Sequence, residues 1–316
     1  MLQPVFNDLS AAPLAADLTG ALERMSRLIE LLRDAPEHGL DPGLRIPQTF
    51  HTLLLCPNYC ISDWLYDTRA PREQTNFLLT LATRSPYLDQ TPDAIQRREL
   101  LVDVRLNEHS SDALRAAYLL DAPLFSFLEA PWDIAYISCE FEELVDDTLT
   151  PPRLVSLPNI AKIAHFEIHG DWIRGRRRRS VASARDLWDR RDTLFPHLEF
   201  CPSIEGQIMG LRPSEPRFQQ VVNKLFDLEN YFAGWVAGGF DPNAFAKCKP
   251  ASRETIACYS NDYRYITYDA DTVVANWHLY LTPGKGRLYF EADGVSRRGI
   301  VCHVGDKLPD VSYGRT

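Results

Sequence analysis

The chain has 316 residues, 45% hydrophobic and 24% charged, enough for a large buried core and a length that favours two domains over one. No apolar run reaches the roughly 18 residues that a membrane helix needs, and the opening MLQPVFNDLSAAPLAADL lacks the basic start of a secretory signal, so a cytoplasmic protein without a membrane partner is expected. The net charge of -9 hides an asymmetry: residues 1–150 carry 11 Lys and Arg against 24 Asp and Glu, a balance of -13, whereas residues 151–316 carry 23 against 19, a balance of +4.

Two readings fit that asymmetry. The acidic half mimics or repels a nucleic-acid partner of the basic half, or its acidic loops keep an N-terminal domain soluble. The seven cysteines are odd in number, and CPNYC at Cys56 and Cys60 has no second pair at zinc spacing, so reduced thiols are expected.

In chain order, LTGALERMSRLIELLRDA (18–35) places apolar residues at helical spacing behind Asp17, a capping residue. TFHTLLLC and AYISCEFEEL read as strands, whereas EQTNFLLTLATR and PDAIQRRELLVDVRL read as helices punctuated by Pro86 and Pro92. The first 150 residues are thus a mixed α/β domain with a docking or regulatory role, and the Pro-, Asp- and Thr-rich DDTLTPPRLVSLPN (146–159) marks the expected boundary to a second domain, 151–316.

The alternation of AKIAHFEIHGDW suggests a strand that carries His165 and His169 on one face. No carboxylate or further histidine follows at a diagnostic interval, so neither a metal nor any other cofactor is expected. Next come four consecutive arginines, Arg176, Arg177, Arg178 and Arg179, a run able to neutralise several phosphates if other basic residues join it in space, and otherwise a solvated loop. A helix capped by Ser183 follows, then an amphipathic helix, FQQVVNKLFDLENYFAGWV (218–236), whose aromatic residues read as core.

From Ser252 the texture changes to short strands and turns: ETIACYS, YRYITYD, VVANWHLYL, GRLYF and GIVCHV, joined by PGKG and ADGVSRRG. A curved antiparallel sheet is the expected product, which makes the whole chain α+β. Period-two parity puts Trp277, Leu279 and Leu281 in the core, presents His278 with Tyr280, and groups Arg287 with Tyr289.

The stretch WHLYLTPGKGRLYF, then IVCHVGDK, then Tyr313 resembles the C-terminal strands of the RelE/ParE toxin superfamily over about 50 residues. The resemblance implies a RelE-like sheet that binds RNA and cleaves it through attack of a ribose 2′-hydroxyl on the adjacent phosphodiester. It assigns catalytic positions to His278, Arg287, Lys307 and Tyr313; Tyr280, Tyr289 and His303 on the same strands, and the arginines 176–179 by their charge, are the expected nucleic-acid contacts. Tyr280 stands where the family carries a basic residue, so proton transfer falls to His278 or His303. Such chemistry needs a base, a cation on the developing phosphorane charge and an acid for the leaving oxygen, but no metal. The expected function is a metal-independent endoribonuclease toxin or effector of a bacterial toxin-antitoxin or defence system, with RNA and a protein partner or antitoxin; its rival is a non-catalytic adaptor using the same sheet. Residues 253–316 carry 8 basic and 8 acidic residues, without the strong positive field usual in RNA binders.

Overall fold

The computed structural model describes residues 2–82, 86–88, 95, 98–282 and 284–311. It is α+β and divides into two compact units, Met1–Arg177 and Arg178–Thr316, each with its own apolar core.

In the first unit, β1 (Val5–Phe6) leads to α1 (Leu18–Asp34), which starts where Asp17 accepts a hydrogen bond from the Gly20 N–H at 2.9 Å. Its apolar stripe of Ala21, Met25, Leu28, Ile29 and Leu32 is fully covered. There follow β2 (Leu54–Cys56), β3 (Tyr59–Cys60), α2 (Ile61–Tyr66), α3 (Arg72–Ala82), β4 (Val102–Leu106), β5 (His109–Ser110), α4 (Asp112–Leu120), β6 (Leu124–Phe125), β7 (Tyr136–Val145), β8 (Thr148–Leu149), β9 (Arg153–Ile160) and α5 (Ala164–Arg179). A seven-stranded sheet runs β1-β6-β9-β7-β4-β5, with β8 on β7; β1, β6 and β9 are parallel neighbours and the remaining pairs antiparallel.

Three sequence expectations change here. The stretch expected as a linker holds β9 at the centre of the sheet, and the division between units falls at 177/178 instead. Pro158 is tolerated there because β6 pairs only with Asn159 and Ile160, so no donor is required on that side. Within PDAIQRRELLVDVRL, VDVRL is strand β4: Val102 and Val104 point inward and Asp103 and Arg105 outward, a period of two that outweighs the helical reading. The segment carrying His165 and His169 is helix α5, since the buried residues His165, Phe166, His169 and Ile173 recur at helical intervals.

The second unit continues with α6 (Ala184–Asp189), α7 (Arg191–Leu194), β10 (Leu198–Phe200), α8 (Ile204–Met209) and α9 (Pro216–Gly234). Ser183 caps α6 by accepting from the Asp186 N–H at 3.1 Å. Then come β11 (Cys248–Pro250), α10 (Arg253–Cys258), α11 (Ser260–Tyr263), β12 (Arg264–Ile266), β13 (Thr272–Val274), β14 (Trp277–Tyr280), β15 (Gly286–Asp293) and β16 (Arg298–Asp306). ETIACYS therefore lies largely in helix rather than strand, because the Ser252 hydroxyl accepts from the Thr255 N–H and caps it.

A five-stranded sheet runs β10-β16-β15-β14-β11, antiparallel except for the β10–β16 pair, while β12 and β13 form a separate hairpin. One face packs on α9, where Phe232 meets Phe290 at 6.3 Å between ring centres. Gly299 makes that approach possible: a Cβ there would lie 2.3 Å from the Phe232 ring. Among the described residues, no helix is long and apolar enough to cross a membrane.

Candidate functional site on the second face of the sheet

Strand register determines what the other face presents. Trp277 and Leu279 of β14 turn toward α9 with Leu288 and Phe290 of β15, as the parity of WHLYL requires. The opposite face then carries His278 paired with Tyr289, and Tyr280 paired with Arg287. On β16, His303 pairs with Tyr289 and Gly305 with Arg287, above a β-bulge beside Tyr289 and Phe290. On the other side, β11 sets exposed Lys249 directly across from His278. One row therefore reads Lys249, His278, Tyr289, His303, and the next reads Tyr280, Arg287, Gly305. Lys249 escaped the sequence reading because CKP is a three-residue strand ending in proline, with no alternation to detect.

Arg287 is half-buried. Its guanidinium lies 3.7 Å from the centre of the Tyr280 ring, and its Nη1 donates to the Gly286 carbonyl at 2.7 Å. Among the described residues, its Nε is buried without a hydrogen-bond partner, as is His278 Nδ1. Burial first, then the positive charges of Arg287 and Lys307, push the His278 pKa down to about 4, with Asp310 opposing. The imidazole is consequently neutral at physiological pH.

His303 is held differently. The Gln207 side chain accepts from the Val304 N–H through Oε1 at 2.6 Å, which places its amide nitrogen to donate to His303 Nδ1 at 3.1 Å. The His303 proton then sits on Nε2, 3.2 Å from the Asp306 carbonyl. Both ring nitrogens of His303 are occupied, whereas His278 Nδ1 has no partner among the described residues.

The segment after β16 crosses this face. The Leu308 N–H donates to the Tyr289 hydroxyl at 3.0 Å, the Tyr263 hydroxyl donates to the Pro309 carbonyl at 3.2 Å, and Lys307 forms an ion pair with Asp310. Burial raises the pKa of both tyrosines, so they act here as neutral hydrogen-bonding groups. Tyr313 lies outside the described residues.

The four arginines form the last turn of a helix. They end α5: Arg176 is engaged by the Asp121 carboxylate at 2.7 Å and by the Leu120 and Asp121 carbonyls, and Arg178 by Asp227 at 3.0 Å. The solvated or phosphate-binding loop expected for them is a helix, in which Arg176 and Arg178 bind neighbouring oxygens.

His165 and His169 are polar members of a core. His165 Nδ1 accepts from the Ala161 N–H at 3.2 Å, and His169 Nε2 lies 3.1 Å from the Asn159 carbonyl; burial lowers the pKa of each. Among the described residues no group of three His, Cys, Asp or Glu side chains is placed to hold a metal ion. The chain matches no known family model, no curated protein and no solved structure.

Proposed function

We propose that this sheet face binds single-stranded RNA and cleaves it without a metal, in the manner of a RelE-like endoribonuclease acting as a toxin or effector in a bacterial toxin-antitoxin or defence system. The observation that carries the reading is a neutral, half-buried His278 whose unpartnered Nδ1 sits under the field of Arg287 and Lys307, with Lys249 across from it. A phosphodiester is the ligand that such a group of cations favours.

In the proposed reaction, His278 takes the proton from a ribose 2′-hydroxyl as its oxygen attacks phosphorus. Arg287 and Lys307 bind the non-bridging oxygens as negative charge builds on them. The 5′-oxygen leaves with a proton, giving a 2′,3′-cyclic phosphate and a 5′-hydroxyl end. The resemblance assigns that donation to Tyr313; among the described groups, the exposed Lys249 across from His278 can supply it. An anion seated on Arg287 and Lys307 offsets two of the influences that depress the His278 pKa, so substrate binding itself strengthens the base.

The test is cleavage of end-labelled RNA by the purified chain in EDTA, with an all-deoxy strand as control. Cyclic-phosphate products from RNA, abolished by His278→Ala and Arg287→Ala, are expected. Binding of RNA with no cleavage of any sequence would overturn the catalytic reading. That outcome selects the adaptor reading, which has its own support: Tyr289 and Tyr263 already pin residues 308 and 309 across the face, and Asp310 already engages Lys307.

A further inference from the structure

The same sheet face continues beyond the His278 row. Glu291 of β15 pairs with Ile300 of β16, which pairs in turn with Glu199 of β10, and one step further Asp293 pairs with Arg298. Glu199, Ile300 and Arg298 thus lie on the face that carries Arg287 and Tyr289. They form part of the lining of a groove of about 500 Å³, closed on one side by α7 and on the other by the turn between β12 and β13, which contributes Thr267, Tyr268 and Asp269. Asp293 lies six steps along β15 from Arg287, roughly 20 Å of strand.

The charges in this groove differ from those around His278. Three carboxylates, Asp192, Glu199 and Asp269, line it against two guanidiniums, and both guanidiniums are committed to the protein. Arg298 spans Glu199 at 3.3 Å and the Pro196 carbonyl at 3.1 Å. Arg191 bonds the Trp188 carbonyl at 2.8 Å and lies over its ring at 4.3 Å. A phosphate is therefore disfavoured here. Each carboxylate retains acceptor sites, because two oxygens offer about four lone-pair positions. Tyr268 is 64% exposed at the rim, an aromatic plane open to stacking.

Resting on the RNA reading above, we propose that this groove is a base-reading subsite: it stacks one nucleobase on Tyr268 and accepts hydrogen bonds from an exocyclic amino group through Glu199 and Asp269. The volume suits a single base or nucleoside. Carboxylates accept from the amino groups of cytosine and adenine, whereas uracil presents carbonyl oxygen where cytosine presents that donor. The phosphate backbone then runs over the Arg287 and Lys307 end, one or a few nucleotides away. Sequence preference and cleavage are placed at two ends of one sheet face.

The experiment measures binding of the full chain to fluorescent oligo(C), oligo(A) and oligo(U) of equal length at one salt concentration. Oligo(C) and oligo(A) should bind at least about tenfold more tightly than oligo(U). Tyr268→Ala should weaken the preferred strands by roughly five- to 100-fold, the range for losing one base stack. Glu199→Gln should narrow the preference, and Glu199→Lys should shift it toward oligo(U), while Arg287→Ala weakens all three strands alike. Equal binding of all homopolymers, unchanged in Tyr268→Ala and Glu199→Lys, overturns the subsite and leaves the RNA reading standing. Glu199-dependent capture of an oligo-arginine peptide with no base preference also overturns it, in favour of a basic protein partner. Failure to bind any RNA sinks both readings together.

Discussion

Burial and two neighbouring cations keep His278 uncharged in the folded chain, and the consequence for stability has a definite sign. The unfolded imidazole titrates near 6.5 and the folded one near 4. Between those values acid places a proton on the unfolded form alone. The stabilisation is complete above about pH 6.5 and is lost as pH falls toward 4, on the order of 2–3 kcal/mol after allowance for partial solvent access. Burial lowers the pKa of His165, His169 and His303 as well, so acid lability is shared with them. Urea unfolding at pH 7, 5.5 and 4.5 should therefore show a steep acid loss that is shallower in His278→Gln; an identical slope in the variant would remove His278 from the account. Arg287 sits beside this histidine, stacked on Tyr280. Arg287→Ala should lower RNA cleavage by about 2–4 kcal/mol of transition-state stabilisation with the fold intact, the usual scale for a preorganised charge donor. Activity equal to wild type in single-turnover measurements would exclude the guanidinium from the reaction.

Elements decide which of these residues meet. Helices α1 and α9 were legible because each buries a continuous stripe at helical spacing, and β14 and β15 because their parity separates core residues from presented ones. Two features left no trace in the pattern: the bulge that shifts β16 against β15, and the short β11 that delivers Lys249. His165 and His169 were ambiguous for a geometrical reason, since residues four apart share a face in both a strand and a helix. Nor did the sequence reading reach the pairing of His197 with Glu229. The buried Glu229 carboxylate of α9 accepts from the His197 N–H at 3.0 Å and bonds its Nδ1 at 2.7 Å, which ties the start of β10 to the helix. Glu229→Ala should cost about 2–3 kcal/mol through loss of both charge-assisted bonds. At the other end of the same contact, Gly299→Ala would drive a methyl group into the Phe232 ring, an overpacking that should cost about 1–3 kcal/mol. Thermal melts of the two variants check both figures, and an unshifted melt in either contradicts the packing described for it.

At the scale of the whole molecule, the division at 177/178 changes the charge argument. Residues 1–177 carry 16 basic against 26 acidic residues, a balance of -10, and residues 178–316 carry 18 against 17, a balance of +1. Five of the basic residues that made the C-terminal half positive in the sequence reading, Arg153, Lys162, Arg174, Arg176 and Arg177, belong to the acidic unit. The second unit is close to neutral, so the RNA binding proposed for it would rest on the local grouping of Lys249, Arg287 and Lys307 rather than on a general positive field. The first unit still repels a polyanion, and that repulsion acts through solvent and is screened over about 8 Å at physiological ionic strength. Each unit has an apolar core cluster of its own, which predicts that residues 178–316 fold alone with a single unfolding transition. That fragment should bind single-stranded RNA more tightly than the full chain at low salt, with the difference shrinking toward zero as salt rises. A folded fragment that binds more weakly than the full chain, or by a margin indifferent to salt, would show that the acidic unit supplies RNA contacts of its own.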